Sequence, residues 1–127
     1  MYQSQWLNAT IDIDRSTQFA GDDVDRYTSI VDLGSDYESL VIIVPALDAA
    51  STIAVFVQEL AAVATVPIAL HAKRDADETT SAQWLTTSGA GSFAITCNAL
   101  GCFRYIRIKT SANQAADRTF RVRGVRS

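Results

Sequence analysis

Cys102-Phe-Arg-Tyr-Ile-Arg-Ile-Lys109 and Arg118-Thr-Phe-Arg-Val-Arg-Gly-Val125 alternate apolar and polar residues with a period of two, the pattern of a strand buried on one face. Ile106, Ile108, Phe120 and Val122 take the inward positions. Arg107, Lys109, Arg121 and Arg123 take the outward ones, so two such strands lying side by side as a closing hairpin would present a compact positive sheet face.

The same alternation recurs upstream. Thr10-Ile-Asp-Ile-Asp14 sets Ile11 and Ile13 against Asp12 and Asp14, and Tyr27 to Leu33 forms a second strand closed by Gly34-Ser-Asp. Leu40-Val-Ile-Ile-Val44 is apolar on both faces, as expected of a central strand, and Pro45 limits its length. Asp48 to Ala64 admits two readings. Asp48 is a good helix cap, with Ile53, Phe56, Val57 and Leu60 at helical spacing. The alternation of Ile53, Val55 and Val57 among other strands favours a strand over 53–57 and a loop over 59–65. Short strands follow at Pro67 to His71 and Ala82 to Thr86. Ser92 to Cys97 then pairs, through the Asn98 to Gly101 turn, with Phe103 to Lys109, and Thr110 to Asp117 is a polar loop. Eight or nine strands at such intervals predict an all-β fold, a two-sheet antiparallel β-sandwich of jelly-roll-like topology forming a single domain over residues 1–127. Its core comprises Ile11, Ile13, Val31, Leu33, Ile42, Val44, Val55, Phe93, Ile95, Ile106, Ile108, Phe120 and Val122.

The chain has 127 residues, 48% apolar and 20% charged, enough for one core without staples and unlike a disordered segment. The longest apolar run, Leu40 to Leu47, is far short of a bilayer span, and the first residues lack a signal-peptide pattern, so cytoplasmic synthesis is expected. In that reducing setting Cys97 and Cys102 read as two reduced core thiols, although their spacing across a turn permits a bond. Charge is segregated along the chain. Residues 1–48 hold nine acids against two bases, a net −7, whereas residues 101–127 hold seven bases against one acid, a net +6. Such complementary segments point to association, with Asp12 and Asp14 as one counterpart of the basic face.

Catalysis finds little support. His71 is the only histidine, so no nucleophile–base pair is evident, and Gly89-Ala-Gly91 lacks the Lys-Ser/Thr of a phosphate loop. The acids Asp12, Asp14, Asp22, Asp23 and Asp25 do not have EF-hand spacing and read as solvated turn and strand residues, so neither a metal nor a cofactor is expected. A sequence pI near 4.9 argues against an extended nucleic-acid footprint, leaving a protein interface as the preferred role of Arg107, Lys109, Arg121 and Arg123. Trp6 and Trp84 keep a glycan-binding alternative open, since exposed aromatic rings stack on sugars.

Thr10-Ile-Asp-Ile-Asp14, Ile30-Val-Asp-Leu-Gly34, Leu40-Val-Ile-Ile-Val-Pro-Ala-Leu47, Phe103-Arg-Tyr-Ile-Arg-Ile-Lys-Thr-Ser111 and Gln114-Ala-Ala-Asp-Arg-Thr-Phe120 together resemble small structural proteins encoded by tailed bacteriophages. The resemblance spans most of the chain and implies a β-sandwich virion protein that serves as capsid decoration or cement, or as a fibre component. The partners it implies are capsid subunits and copies of itself, with the virion as its location. It carries over no catalytic residue. Tyr105-Ile-Arg-Ile is also similar to the closing strands of galactose-binding-like sandwich modules, which sustains the glycan alternative for a fibre or adhesion assembly.

Overall fold

The computed structural model describes residues 2–48, 51–72, 82–83, 85–87, 93–97 and 100–126. Among them it contains no helix and twelve strands, β1 (Tyr2–Gln3), β2 (Leu7–Ile11), β3 (Val31–Asp32), β4 (Ser39–Val44), β5 (Thr52–Gln58), β6 (Ile68–Ala69), β7 (His71–Ala72), β8 (Ala82–Gln83), β9 (Leu85–Thr87), β10 (Phe93–Cys97), β11 (Tyr105–Thr110) and β12 (Arg118–Arg126). The strand reading of 53–57 therefore holds, and β5 extends it by one residue at each end.

Two antiparallel sheets make the sandwich. In the first the order is β1-β12-β4-β10, with β2 pairing along the same side of β12 as β1; in the second it is β3-β11-β5-β6, with β9 continuing the edge beyond β6. A separate two-stranded ladder joins β7 to β8. β1 and β2 act as one edge strand broken at Ser4. The Ser4 N–H donates to the Gly124 carbonyl at 2.9 Å, and the Ser4 hydroxyl oxygen accepts from the Gly124 N–H at 3.0 Å.

Period-two patterning meets its partner across the gap between the sheets. Leu7, Val122 and Ile42 stand in register on one inner face, and Val31, Ile106 and Val57 on the other. Ile11, Leu40, Ile42, Val44, Ile53, Val55, Ile106, Ile108, Phe120 and Val122 are essentially inaccessible to water. Each contributes about 1.5–3 kcal/mol of hydrophobic stabilisation. All predicted core residues whose side chains are described are buried except Ile13, which packs half-exposed against the core rim. The side chains of Phe93 and Ile95 lie outside the described ones.

The connections correct the sequence reading. β10 pairs with β4 and β11 with β5, so the turn after Cys97 crosses between sheets and does not make a hairpin. Cys97 is buried, whereas Cys102, at a positive φ of 60° in an exposed turn, is on the surface, so the expectation of two core thiols holds for Cys97 alone. β11 and β12 likewise belong to opposite sheets. The Thr110 to Asp117 loop carries the chain between them. Gln114 anchors it, its amide donating to the Ser51 hydroxyl at 3.1 Å and its side-chain oxygen accepting from the Asp48 N–H at 3.0 Å. Asp48 caps no helix and instead accepts from Ala115 N–H and Arg118.

Gly124 packs closely against Tyr37, in the loop before β4. A Cβ there would lie 3.0 Å from that of Tyr37 and closer still to its ring, which is packed in the core. Gly124→Ala should lower the unfolding free energy by about 1–3 kcal/mol in urea titration, with secondary structure retained in circular dichroism. A wild-type midpoint would mean that Tyr37 does not occupy this seat.

Candidate interaction faces

The four predicted basic residues divide between the two outer faces of the sandwich. Because Ile106 and Ile108 point into the core, Arg107 and Lys109 emerge on the far side of the β11 sheet, and Arg121 and Arg123 emerge on the far side of the β12 sheet. No compact four-residue patch exists.

Arg107 is not a surface residue at all. Its exposure is 0%, because residues 15–28 and the loop after β5 fold over this face. Its guanidinium donates to Gln58 Oε1 at 3.2 Å, Gln18 Oε1 at 3.0 Å, the Thr28 carbonyl at 3.2 Å and the Val63 carbonyl at 3.2 Å. The Phe19 ring centroid lies 4.7 Å away, within cation–π range. Burial pulls the Arg107 pKa down, nearby Arg15 adds to that, and Asp22 and Tyr27 oppose it. Arginine nonetheless remains charged in proteins, so this is a desolvated cation satisfied by neutral oxygens.

Around it, Phe19, Tyr27 and Phe56 form a small second core of edge-to-face rings, with centroids 5.2 Å and 5.4 Å apart. The Lys109 ammonium lies 5.0 Å from the Tyr27 ring centroid and 5.6 Å from that of Phe56, and this side chain is half-buried. Asp22 forms a forked ion pair with Arg15, one arm at 2.8 Å, and accepts from the Gln18 N–H at 2.9 Å. Burial raises the Asp22 pKa, but these bonds and the Arg15 charge outweigh it and leave the carboxyl below its ordinary value. Beside Lys109 a cavity of about 260 Å³ is lined by Arg26, Thr52, Ile53, Ala54, Thr110 and Ser111. Arg26 is already engaged there by Asp23 at 3.3 Å and Asn113 at 2.8 Å.

The β12 sheet is different. Arg121 is exposed and Arg123 half-buried, flanked in register by Asn8, Ile43 and Val41, of which Val41 and Ile43 are only partly covered. Trp6 leans over this pair, its ring centroid 4.5 Å from the Arg123 guanidinium and 5.5 Å from that of Arg121. Carboxylates pair with Arg15, Arg26, Arg104 and Arg118, but among the described residues none pairs with Arg121 or Arg123. Among the described residues Arg123 hydrogen-bonds only to Gln3 Oε1, at 3.4 Å, and its Nε is shielded from water with no acceptor.

Asp12 and Asp14 do not face this pair. β2 ends at Ile11, opposite Arg118, and Asp12 begins a turn in which its carboxylate accepts from the Asp14 N–H at 3.0 Å. Arg118 and Arg123 are five residues apart on one strand, roughly 17 Å. Trp84 lies outside the described residues. His71, exposed on β7, pairs in the ladder with Gln83. Among the described residues no group of three or more His, Cys, Asp or Glu is placed to hold a metal, and no helix is long and apolar enough to cross a membrane. No family model, curated protein or solved structure matches the chain.

Sequence reasoning missed the buried polar residues Gln58 and Gln114 and the half-buried Gln18. It also missed the cover on the β11 sheet, whose only sequence signal is Phe19 and Tyr27 in an otherwise polar stretch. Arg107→Met should cost about 3 kcal/mol or more, because it takes the donor from four oxygens, of which those of Gln58 and Thr28 lie in buried bonds. Arg107→Lys should recover only part, since one ammonium cannot span a planar fork's acceptors. Asp22 adds a pH dependence. Its lowered pKa stabilises the fold above the ordinary aspartate value of 3.8, and that contribution is lost as pH falls through the folded value. Thermal melts should therefore show a shallower acid decline for Asp22→Asn than for wild type.

Proposed function

We propose that the protein is a structural subunit of a tailed-phage virion, a decoration or cement protein that docks on the capsid through the outer face of its β12 sheet. The observation that carries the docking face is the Arg121–Trp6–Arg123 cluster, two guanidiniums without carboxylate partners among the described residues, on a sheet face that no loop among them pins down. Such a face suits an acidic protein surface, where opposite charge speeds encounter and fixes register. The virion setting rests on the sequence resemblance. It is supported by our reading of the strand order as a jelly roll. Taking β1/β2 as one position and β6 with β9 as one, and leaving the separate β7–β8 ladder aside, we read the sheet orders as 1-8-3-6 and 2-7-4-5, the order expected of two interlocked Greek keys. Jelly rolls serve in capsids and also in lectins, so the fold does not choose between the two roles.

The neighbouring guanidinium weighs against glycan binding at Trp6, because it already covers one face of the ring 4.5 Å from the centroid. The proposal assigns no catalytic role and no cofactor.

The test is co-sedimentation of purified protein with capsids of the phage that encodes it. Saturable binding is expected, weakened about tenfold or more by Arg121→Glu with Arg123→Glu and by added salt, with the monomer's melting temperature retained. Glycan-array hits that vanish on Trp6→Ala or Trp84→Ala, together with no particle association, would replace this reading with the alternative.

A further inference from the structure

Between Glu59 and His71 the sequence carries no ionisable side chain, yet residues 60–64, 66 and 68 are exposed. Leu60, Val63, Val66 and Ile68 are 62%, 45%, 54% and 62% exposed, with Ala61, Ala62 and Ala64 open beside them. The cause lies underneath. Gln58, 1% exposed at the end of β5, donates its amide to the Leu60 carbonyl at 2.7 Å and the Ala62 carbonyl at 3.1 Å, and Arg107 donates to the Val63 carbonyl. The strap thus turns three carbonyls inward onto buried donors, while Leu60 and Val63 stand in water. An apolar loop in contact only with solvent would gain by the reverse arrangement, side chains in and carbonyls out. Buried polar groups that hold apolar side chains outward preorganise an interface.

We propose that the 60–68 strap is a self-association surface, through which two copies of this chain pack about a two-fold axis. Area and charge both favour a second copy. The four side chains leave on the order of 400 Å² open, within the roughly 300–600 Å² of the largest and often functional apolar patch on a monomer. With the alanines, two facing straps would bury roughly 1,000 Å², the lower bound for a specific interface. A two-fold contact sets each patch against itself, and a strap without charges meets itself without repulsion. The absence of Lys and Arg gives an anionic membrane nothing to attract. The inference is independent of the capsid reading, since the strap covers the β11 sheet and the docking face is on the other.

Sedimentation velocity of the full chain, up to about 0.2 mM, should show a reversible dimer whose affinity is lowered tenfold or more by Leu60→Asp with Val63→Asp. Circular dichroism and melting temperature check the variant's fold. Ile68→Lys gives a second, independent disruption at the rim of the β5 sheet. Val63→Cys in a Cys102→Ser background should cross-link to itself through a short bismaleimide. A protein monomeric at every concentration, or a dimer indifferent to all three substitutions, would overturn the proposal. So would a monomer that floats with phosphatidylcholine vesicles, which would reassign the strap to a membrane.

Discussion

The buried guanidinium of Arg107 is the constraint on which the covered half of this molecule depends. Its four acceptors come from β5, from residues 18 and 28, and from the loop at residue 63, so three separate segments converge on one cation. Removing a cation from water costs several kcal/mol before any bond is made, and no carboxylate hydrogen-bonds to it among the described residues. The site is stable because every acceptor is already positioned by the sheet or by its own loop. Arginine fits this role because a planar fork with five donors can address oxygens in several directions at once. Asp22 supports it at one remove, holding Arg15 and the Gln18 backbone and supplying a nearby negative charge.

The two faces of the sandwich are consequently unlike. On the β11 sheet, polar side chains are used internally, and the surface above them is made by loops. On the β12 sheet, side chains of the strands themselves are the surface, and Arg121, Arg123 and Trp6 interact with one another more than with anything beneath them. A single period-two pattern thus produces an internal anchor on one strand and an external cluster on another. The difference lies in what the rest of the chain places over each strand.

That difference also explains which parts of the structure were legible in the sequence. Inward positions such as Ile106, Ile108, Phe120 and Val122 announce themselves, because alternation reports a half-buried strand wherever it lies. The same alternation marks Arg107 and Arg121 identically as outward, yet one is fully buried and the other exposed. No local signal reports a loop arriving from 80 residues away, as Thr28 does at Ile108. Pairing was hidden for a related reason. β10 and β11 are neighbours in sequence and the Asn98 to Gly101 stretch has turn chemistry, so a hairpin is the local solution, whereas the fold sends each strand to a different sheet. The 59–65 segment reads as a loop and Pro67 to His71 as a strand, but the outward presentation of Leu60 and Val63 depends on Gln58 and Arg107, which sequence alone does not bring together.

The position of β12 governs how the molecule is made. This strand, the last of the described ones, lies between β1/β2 and β4 and is hydrogen-bonded on both sides. During synthesis from the amino end, β2 and β4 therefore emerge without the neighbour that separates them, each with an open edge and the apolar faces of Leu40, Ile42 and Val44 uncovered. Pairing across such sequence separations is slow, and unpaired edges recruit other chains. A ribosome-bound fragment ending before Arg118 has half a sandwich and a vacant slot at the centre of the other half. Folding of the first sheet is thereby tied to the synthesis of β12.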